Sequence, residues 1–202
     1  MTRRASAGRS GGGMRVIAGA ARGRRLQTPH DAGARPPLAL ARGAIFNRLG
    51  EHIRGAAVLD LYAGSGSLGI EALSRGAARA VFVEQEAACA DAIRANLAHC
   101  RLDDRAEVRV EPAATALGRL DERFGLVFVD PPYAAARTWE ASDEGGAVVR
   151  ATARLLAPTG ILVFRAEADA DLPATWGGHP RQGTRTYGRS RFAFYETAGA
   201  ET

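Results

Sequence analysis

The chain has 202 residues, 46% of them hydrophobic, and its 27 basic and 22 acidic residues leave a formal charge of +5. That length can bury one sizeable core. The charge favours an anionic partner, and no apolar run reaches the roughly 20 residues that span a bilayer.

Two cysteines, Cys89 and Cys100, make no disulfide framework, and the four histidines are scattered without metal-ligand spacing, so no metal site is expected. Met1 to Gly13, rich in Arg, Ser and Gly and lacking an apolar leader, is expected to be a disordered basic tail. One monomeric, cytoplasmic domain is expected to follow over residues 14–198. It begins with a β-hairpin over 14–28, in which Met14 to Ala18 form a strand and Gly19 to Gly23 the turn. Arg22, Arg24 and Arg25 then sit together on a small protrusion, suited to hold phosphates before any base is read. Pro29 to Pro37 reads as a loop. Leu38, Ala41, Ile45 and Leu49 recur at helical spacing beyond it, with Phe46 beside them and Arg42 facing away.

Val58 to Leu61 is an apolar run that carries Asp60 and ends in a glycine-rich turn at Gly64, Gly66 and Gly69, with a helical pattern from Ile70 to Ser74. Strand, tight turn and helix start together make a nucleotide-cofactor cradle, because glycine lets the backbone approach a ligand and the helix start offers unpaired N–H groups. Further strands are predicted at Ala80 to Val83, Val108 to Val110, Leu126 to Val129 and Gly160 to Phe164. The helices between them carry Cys89, Ile93 and Leu97, then Ala113 to Leu120, then Ala147 to Leu156. Arg185 to Tyr187 and Phe192 to Tyr195 can close the sheet as an antiparallel pair. The alternation implies a parallel α/β sheet covered on both faces, with Asp60, Glu84 and Asp130 at the carboxyl ends of its strands.

GSGSLG fits the GxGxxG pattern of dinucleotide folds, and Glu84 follows at the right distance for a ribose contact, so a NAD enzyme is one reading. Asp60 argues otherwise. An acid on the strand before the turn would repel a pyrophosphate, but it suits the ammonium of S-adenosylmethionine, whose ribose diol Glu84 could accept. Asp130-Pro131-Pro132-Tyr133 follows the fourth strand. Consecutive prolines fix the backbone and leave carbonyls free. Asp130 and the Pro131 carbonyl can draw the hydrogens of an exocyclic amine out of plane, and Tyr133 offers a flat face for its base.

At DPPY the chain resembles the class I methyltransferases that act on exocyclic amines. It is more closely similar to the RsmD family of small-subunit ribosomal RNA guanine methyltransferases, through MRVIAG with a following GRRL, RPP with IFN, LDLYAGSGSLGIEALSRGA, VFVDPPY and the late YG-x-x-R. The resemblance covers Met14 to about Glu196. It implies a Rossmann-like, seven-stranded, mostly parallel sheet with an antiparallel last strand and an N-terminal hairpin. It also implies S-adenosylmethionine as cofactor, a substrate of ribosomal RNA or a small-subunit assembly intermediate, and methylation of a guanine 2-amino group. The site residues carried over are Asp60, Gly64, Gly66, Glu84, Ala113 and Asp130 for the cofactor. Asp130, Pro131, Pro132 and Tyr133 are carried over for catalysis, while Arg22, Arg24 and Arg25, from their clustered charge, and Arg35 are assigned to RNA. Two departures stand out: Pro37, Ala39, Leu40 and Gly43 replace polar residues of the family's substrate side, and Pro112 replaces its adenine-contacting residue, leaving the Ala113 N–H. A catalytically degenerate RNA-binding relative is therefore the alternative within the family.

Overall fold

The computed structural model describes residues 14–29, 36–132 and 142–197, the side chains of 36–39 and Asp143 apart. The tail expected over Met1 to Gly13 lies outside the described residues. Helix α1 (Pro36–Leu49) precedes strand β1 (Ala57–Leu61), and the chain then alternates through α2 (Ser67–Ser74), β2 (Arg79–Glu84), α3 (Ala87–Cys100), β3 (Ala106–Val110), α4 (Ala113–Arg119) and β4 (Phe124–Val129). It ends with α5 (Asp143–Leu155), β5 (Leu156–Glu167), β6 (Thr175–Trp176), β7 (His179–Tyr187) and β8 (Ser190–Glu196).

The strands form one sheet in the order β3-β2-β1-β4-β5-β8-β7-β6. The first five in that order are parallel, and β8, β7 and β6 each run antiparallel to the strand before them. The two-residue β6 adds an eighth strand to the seven expected. The order reverses between β1 and β4, and in an open α/β sheet the crevice at such a reversal, outside the strands' carboxyl ends, is where ligands bind.

Both faces of the sheet are covered, which is why β1, β2 and β4 read as nearly continuous apolar runs. Phe46, Phe82, Phe128 and Phe194 pack on the face that carries α1, α2 and the N-terminal segment. Val81, Val127, Leu162 and Trp176 pack on the other face, with residues of α4 and α5. Helix α5 begins four residues before the expected Ala147, because Ser142 caps it by accepting the Gly145 N–H at 3.0 Å. Its first turn carries the polar Asp143 and Glu144, so apolar spacing could not mark that start.

Two expectations are corrected. The N-terminal hairpin is not a protrusion. Its two arms meet in a single antiparallel bridge, Arg15 to Arg25, and it lies along α2 with Val16, Ala21 and Leu26 buried. The Ile17 and Ala18 N–H groups donate to the Glu71 carboxylate at 2.8 and 3.0 Å, and the Ala21 N–H donates to Ser74 Oγ at 2.9 Å. Gly19 sits in the left-handed region at φ +83°, and a Cβ there would fall 1.8 Å from the Ser74 carbonyl, so only glycine permits this approach. Nor does Arg42 face away. It is buried, donates to the Arg15 carbonyl and sits 3.8 Å from Glu71, because the carboxylate that docks the hairpin also needs a cation.

Candidate cofactor and methyl-transfer site

Asp60 is one residue from the end of β1, with neighbours β2 and β4 on either side. Its carboxylate is 1% exposed and accepts the Gly69 N–H at 2.9 Å. Burial pushes its carboxyl well above the usual aspartate range; the Gly69 N–H opposes the rise, and the charges of Asp130 and Glu84 add to it. A cationic ligand group beside it would favour the ionised form.

Glu84 ends β2. Its two oxygens accept the Gly64 N–H at 2.7 Å and the Glu86 N–H at 2.9 Å, so it braces the glycine turn from below. Each oxygen retains a second lone pair for a hydroxyl. Gly64 and Gly66 are both left-handed, at φ +57° and +76°. A Cβ on Gly64 would meet nothing within 4 Å, which leaves open space over the turn, whereas one on Gly69 would fall 2.3 Å from the Phe82 ring. The first glycine thus leaves room above the turn, and the last allows close helix-to-strand packing. Ala113, buried, opens α4 three residues beyond Val110, which stands opposite Glu84 in the β2–β3 register.

Asp130 follows β4 immediately, and its N–H reaches the Leu61 carbonyl at 3.4 Å. Burial raises its carboxyl and the Arg165 guanidinium opposes the rise. Pro131 is buried and Pro132 exposed. One edge therefore gathers Asp60, Gly64, Gly66, Glu84, Ala113, Asp130 and Pro131. Tyr133 and Arg35 lie outside the described residues. Arg22, Arg24 and Arg25 are elsewhere, on the hairpin beside the carboxyl end of α2. Arg22 and Arg25 are exposed, while Arg24 donates to the His99 carbonyl.

Three participants escaped the sequence reading. Arg165, on β5, pairs with Asp130 at 2.6 Å; a charged residue closing an apolar strand was the available signal. Tyr62 holds the left-handed conformation at φ +59°, and its hydroxyl donates to Glu144 on α5 at 3.2 Å. Asn96, buried on α3, accepts the Gln27 N–H at 2.7 Å and donates to the carbonyls of Gln27 and Ser65 at 2.9 and 3.0 Å. It ties the hairpin to the glycine turn, and no local pattern announces it.

Sheet order, the buried acid on the first strand and the glycine turn beside it define a class I methyltransferase. The model of the family described as conserved hypothetical protein 95 matches residues 14–196. The chain belongs to that family, the RsmD family of ribosomal RNA methyltransferases. A Bacillus subtilis relative named "Putative rRNA methyltransferase YlbH" is 33% identical over 92% of this chain and 100% of its own length. The Escherichia coli ribosomal RNA small subunit methyltransferase D is 40% identical over 60% of this chain, a match that spans 61% of that protein. Among solved structures, one titled "Putative methyltransferase yhhF from Escherichia coli" superposes with a TM-score of 0.77 at 29% identity, covering 93% of this chain and 99% of its own.

Proposed function

We propose that this protein methylates the exocyclic 2-amino group of a guanine in small-subunit ribosomal RNA. Ribosomal RNA is the substrate class of the family, and S-adenosylmethionine is its cofactor, supplying an electrophilic methyl group when bound. The observation that carries the reading is the placement of Asp130 and Pro131 at the carboxyl edge of β4, directly beside the Asp60 and Glu84 cradle.

Asp60 would hold the cofactor's ammonium group and Glu84 its ribose hydroxyls. The N–H of Ala113 would meet the base. A guanine reaches such an edge only when flipped out of its stack. Tyr133 would then stack on the base while Asp130 and the Pro131 carbonyl accept the two amine hydrogens and aim the nitrogen lone pair at the methyl. Acceptors fixed in advance are worth roughly 10²–10³ in rate.

Single-turnover methylation of transcribed small-subunit RNA and of isolated subunits tests this. Asp130→Asn, which trades the carboxylate for a weaker acceptor, should lower the rate by about two orders of magnitude while S-adenosylhomocysteine still binds. Equal rates would remove Asp130 from its role. Leu40, 76% exposed on α1 where the family carries polar residues, favours a second reading, an RNA-binding relative without turnover. Absence of methylation by the wild type on both substrates would select it.

A further inference from the structure

The reaction outlined above assigns nothing to Arg165. Strands β4 and β5 run parallel with Val129 opposite Phe164, so the next residue on each, Asp130 and Arg165, come side by side at the carboxyl edge. Arg165 Nε lies 2.6 Å from Asp130 Oδ1, and the two side chains are 17% and 21% exposed. Both atoms of the contact are enclosed and meet as an ion pair without hydrogen-bond geometry, so the open part of the carboxylate lies away from Oδ1.

The charged groups around Asp130 make this pairing consequential. Asp60 on β1 and Glu84 on β2 are both acidic, and Asp60 is close enough to Asp130 for their charges to interact. Tyr62 and Glu144 at the same edge are bonded to each other, and Glu144 adds negative charge. Burial favours a protonated carboxyl at Asp130, which would present a hydroxyl where the amine needs an acceptor. Arg165 supplies the opposing charge.

We propose that Arg165 is a positioning residue that keeps Asp130 as a carboxylate and occupies its Oδ1, so that Asp130 serves as a fixed hydrogen-bond acceptor and not as the base. This inference rests on the methyl-transfer reading for its chemistry, although the ion pair itself does not. In that chemistry the amine lone pair forms the new N–C bond as the methyl–sulfur bond breaks with its electrons left on sulfur. The surplus proton of the methylated amine then passes to water, because the Arg165 guanidinium beside Asp130 opposes protonation of that carboxylate.

The test uses the full chain as wild type, Arg165→Gln and Arg165→Lys, with S-adenosylhomocysteine binding as the check on folding. Carbon NMR of the Asp130 carboxyl, assigned by its loss in Asp130→Asn, should show an ionised group at pH 7 in the wild type. In Arg165→Gln the titration midpoint should rise by about one pH unit or more, with Arg165→Lys in between. A wild-type carboxyl protonated at pH 7, or a midpoint unmoved in Arg165→Gln, overturns the proposal. In single-turnover methylation, the acid limb of the pH profile should move with the NMR midpoint, and the plateau should fall. A faster plateau in Arg165→Gln would also overturn it, since raising the basicity of a true base speeds proton removal. If the wild type methylates no RNA while the NMR midpoint moves as expected, the ion pair stands and the methyl-transfer reading fails.

Discussion

Asp60 is the residue where folding and function pull in opposite directions. A carboxylate 1% exposed with the Gly69 N–H as its hydrogen bond is costly to bury, and its carboxyl is accordingly raised. The sign follows from that direction. The ligand-free fold binds the proton more tightly than the unfolded chain, so this group's contribution favours the fold at low pH. The contribution is lost as pH rises from the unfolded aspartate value of about 3.9 through the raised folded one. Asparagine in its place can still accept the Gly69 N–H and never ionises. Asp60→Asn should therefore resist urea better than the wild type at pH 7, by about 1–2 kcal/mol, with the gap closing toward acid pH. If Asp60 holds the cofactor ammonium as proposed, the same change removes that partner, and S-adenosylhomocysteine affinity should drop at least about tenfold, as for a lost charge-assisted hydrogen bond. Parallel pH profiles of stability for the two proteins would contradict this account.

The hairpin and α2 behave as one element. Glu71 gathers the Ile17 and Ala18 N–H groups, Arg75 Nε at 2.7 Å and Arg42, so its charge is shared among four partners in a buried seam. Burial lowers the Arg42 guanidinium from its ordinary value, and the Glu71 charge offsets part of that. Further along the same seam, Asn96 joins Gln27 of the hairpin to Ser65 of the glycine turn. Asn96→Ala would leave one N–H and two carbonyls without that partner, at a cost of about 2–4 kcal/mol by urea denaturation. Because Ser65 lies between Gly64 and Gly66, calorimetry on the same variant should also show weaker S-adenosylhomocysteine binding. A loss of stability with unchanged affinity would mean that the hairpin and the turn are not coupled through Asn96.

Across the whole molecule the charge is carried by one chemistry. The chain has no lysine, so all 27 basic residues are arginines, which suit planar phosphate contacts. Many are already engaged: Arg54 with Glu51, Arg79 with Glu122, Arg94 with Asp91 and Arg119 with Glu111. Arg22 and Arg25 are exposed and form no ion pair among the described residues. If they hold RNA, each phosphate contact releases counterions, and affinity falls with salt at a slope of roughly −0.7 per contact on single strands. Reversing the charge of Arg22, Arg24 and Arg25 should weaken RNA binding at low salt and flatten that slope by about two. S-adenosylhomocysteine binding should be untouched, because these residues stand on the hairpin and not at the carboxyl edge. Filter binding over a salt series decides the matter; an unchanged slope would move the RNA surface elsewhere.

The sequence by itself determined the architecture and the cofactor edge. Alternation of apolar runs with helical patterns dictates a parallel sheet, and a parallel sheet brings every strand's carboxyl end to one side. Asp60, Glu84 and Asp130 could therefore be assembled from their positions in their strands alone. The glycine turn was legible because positive φ favours glycine, although Tyr62 adopts the same conformation with no such mark. Tertiary structure alone decided the pairings between segments far apart in the chain: Glu71 with the hairpin, Asn96 with Gln27 and Ser65, Arg165 with Asp130. Strand order and register set those distances, and neither is written in the local spacing that composition and periodicity report. The same limit explains Arg42, assigned to solvent by its place on a helix and buried by a carboxylate on another one.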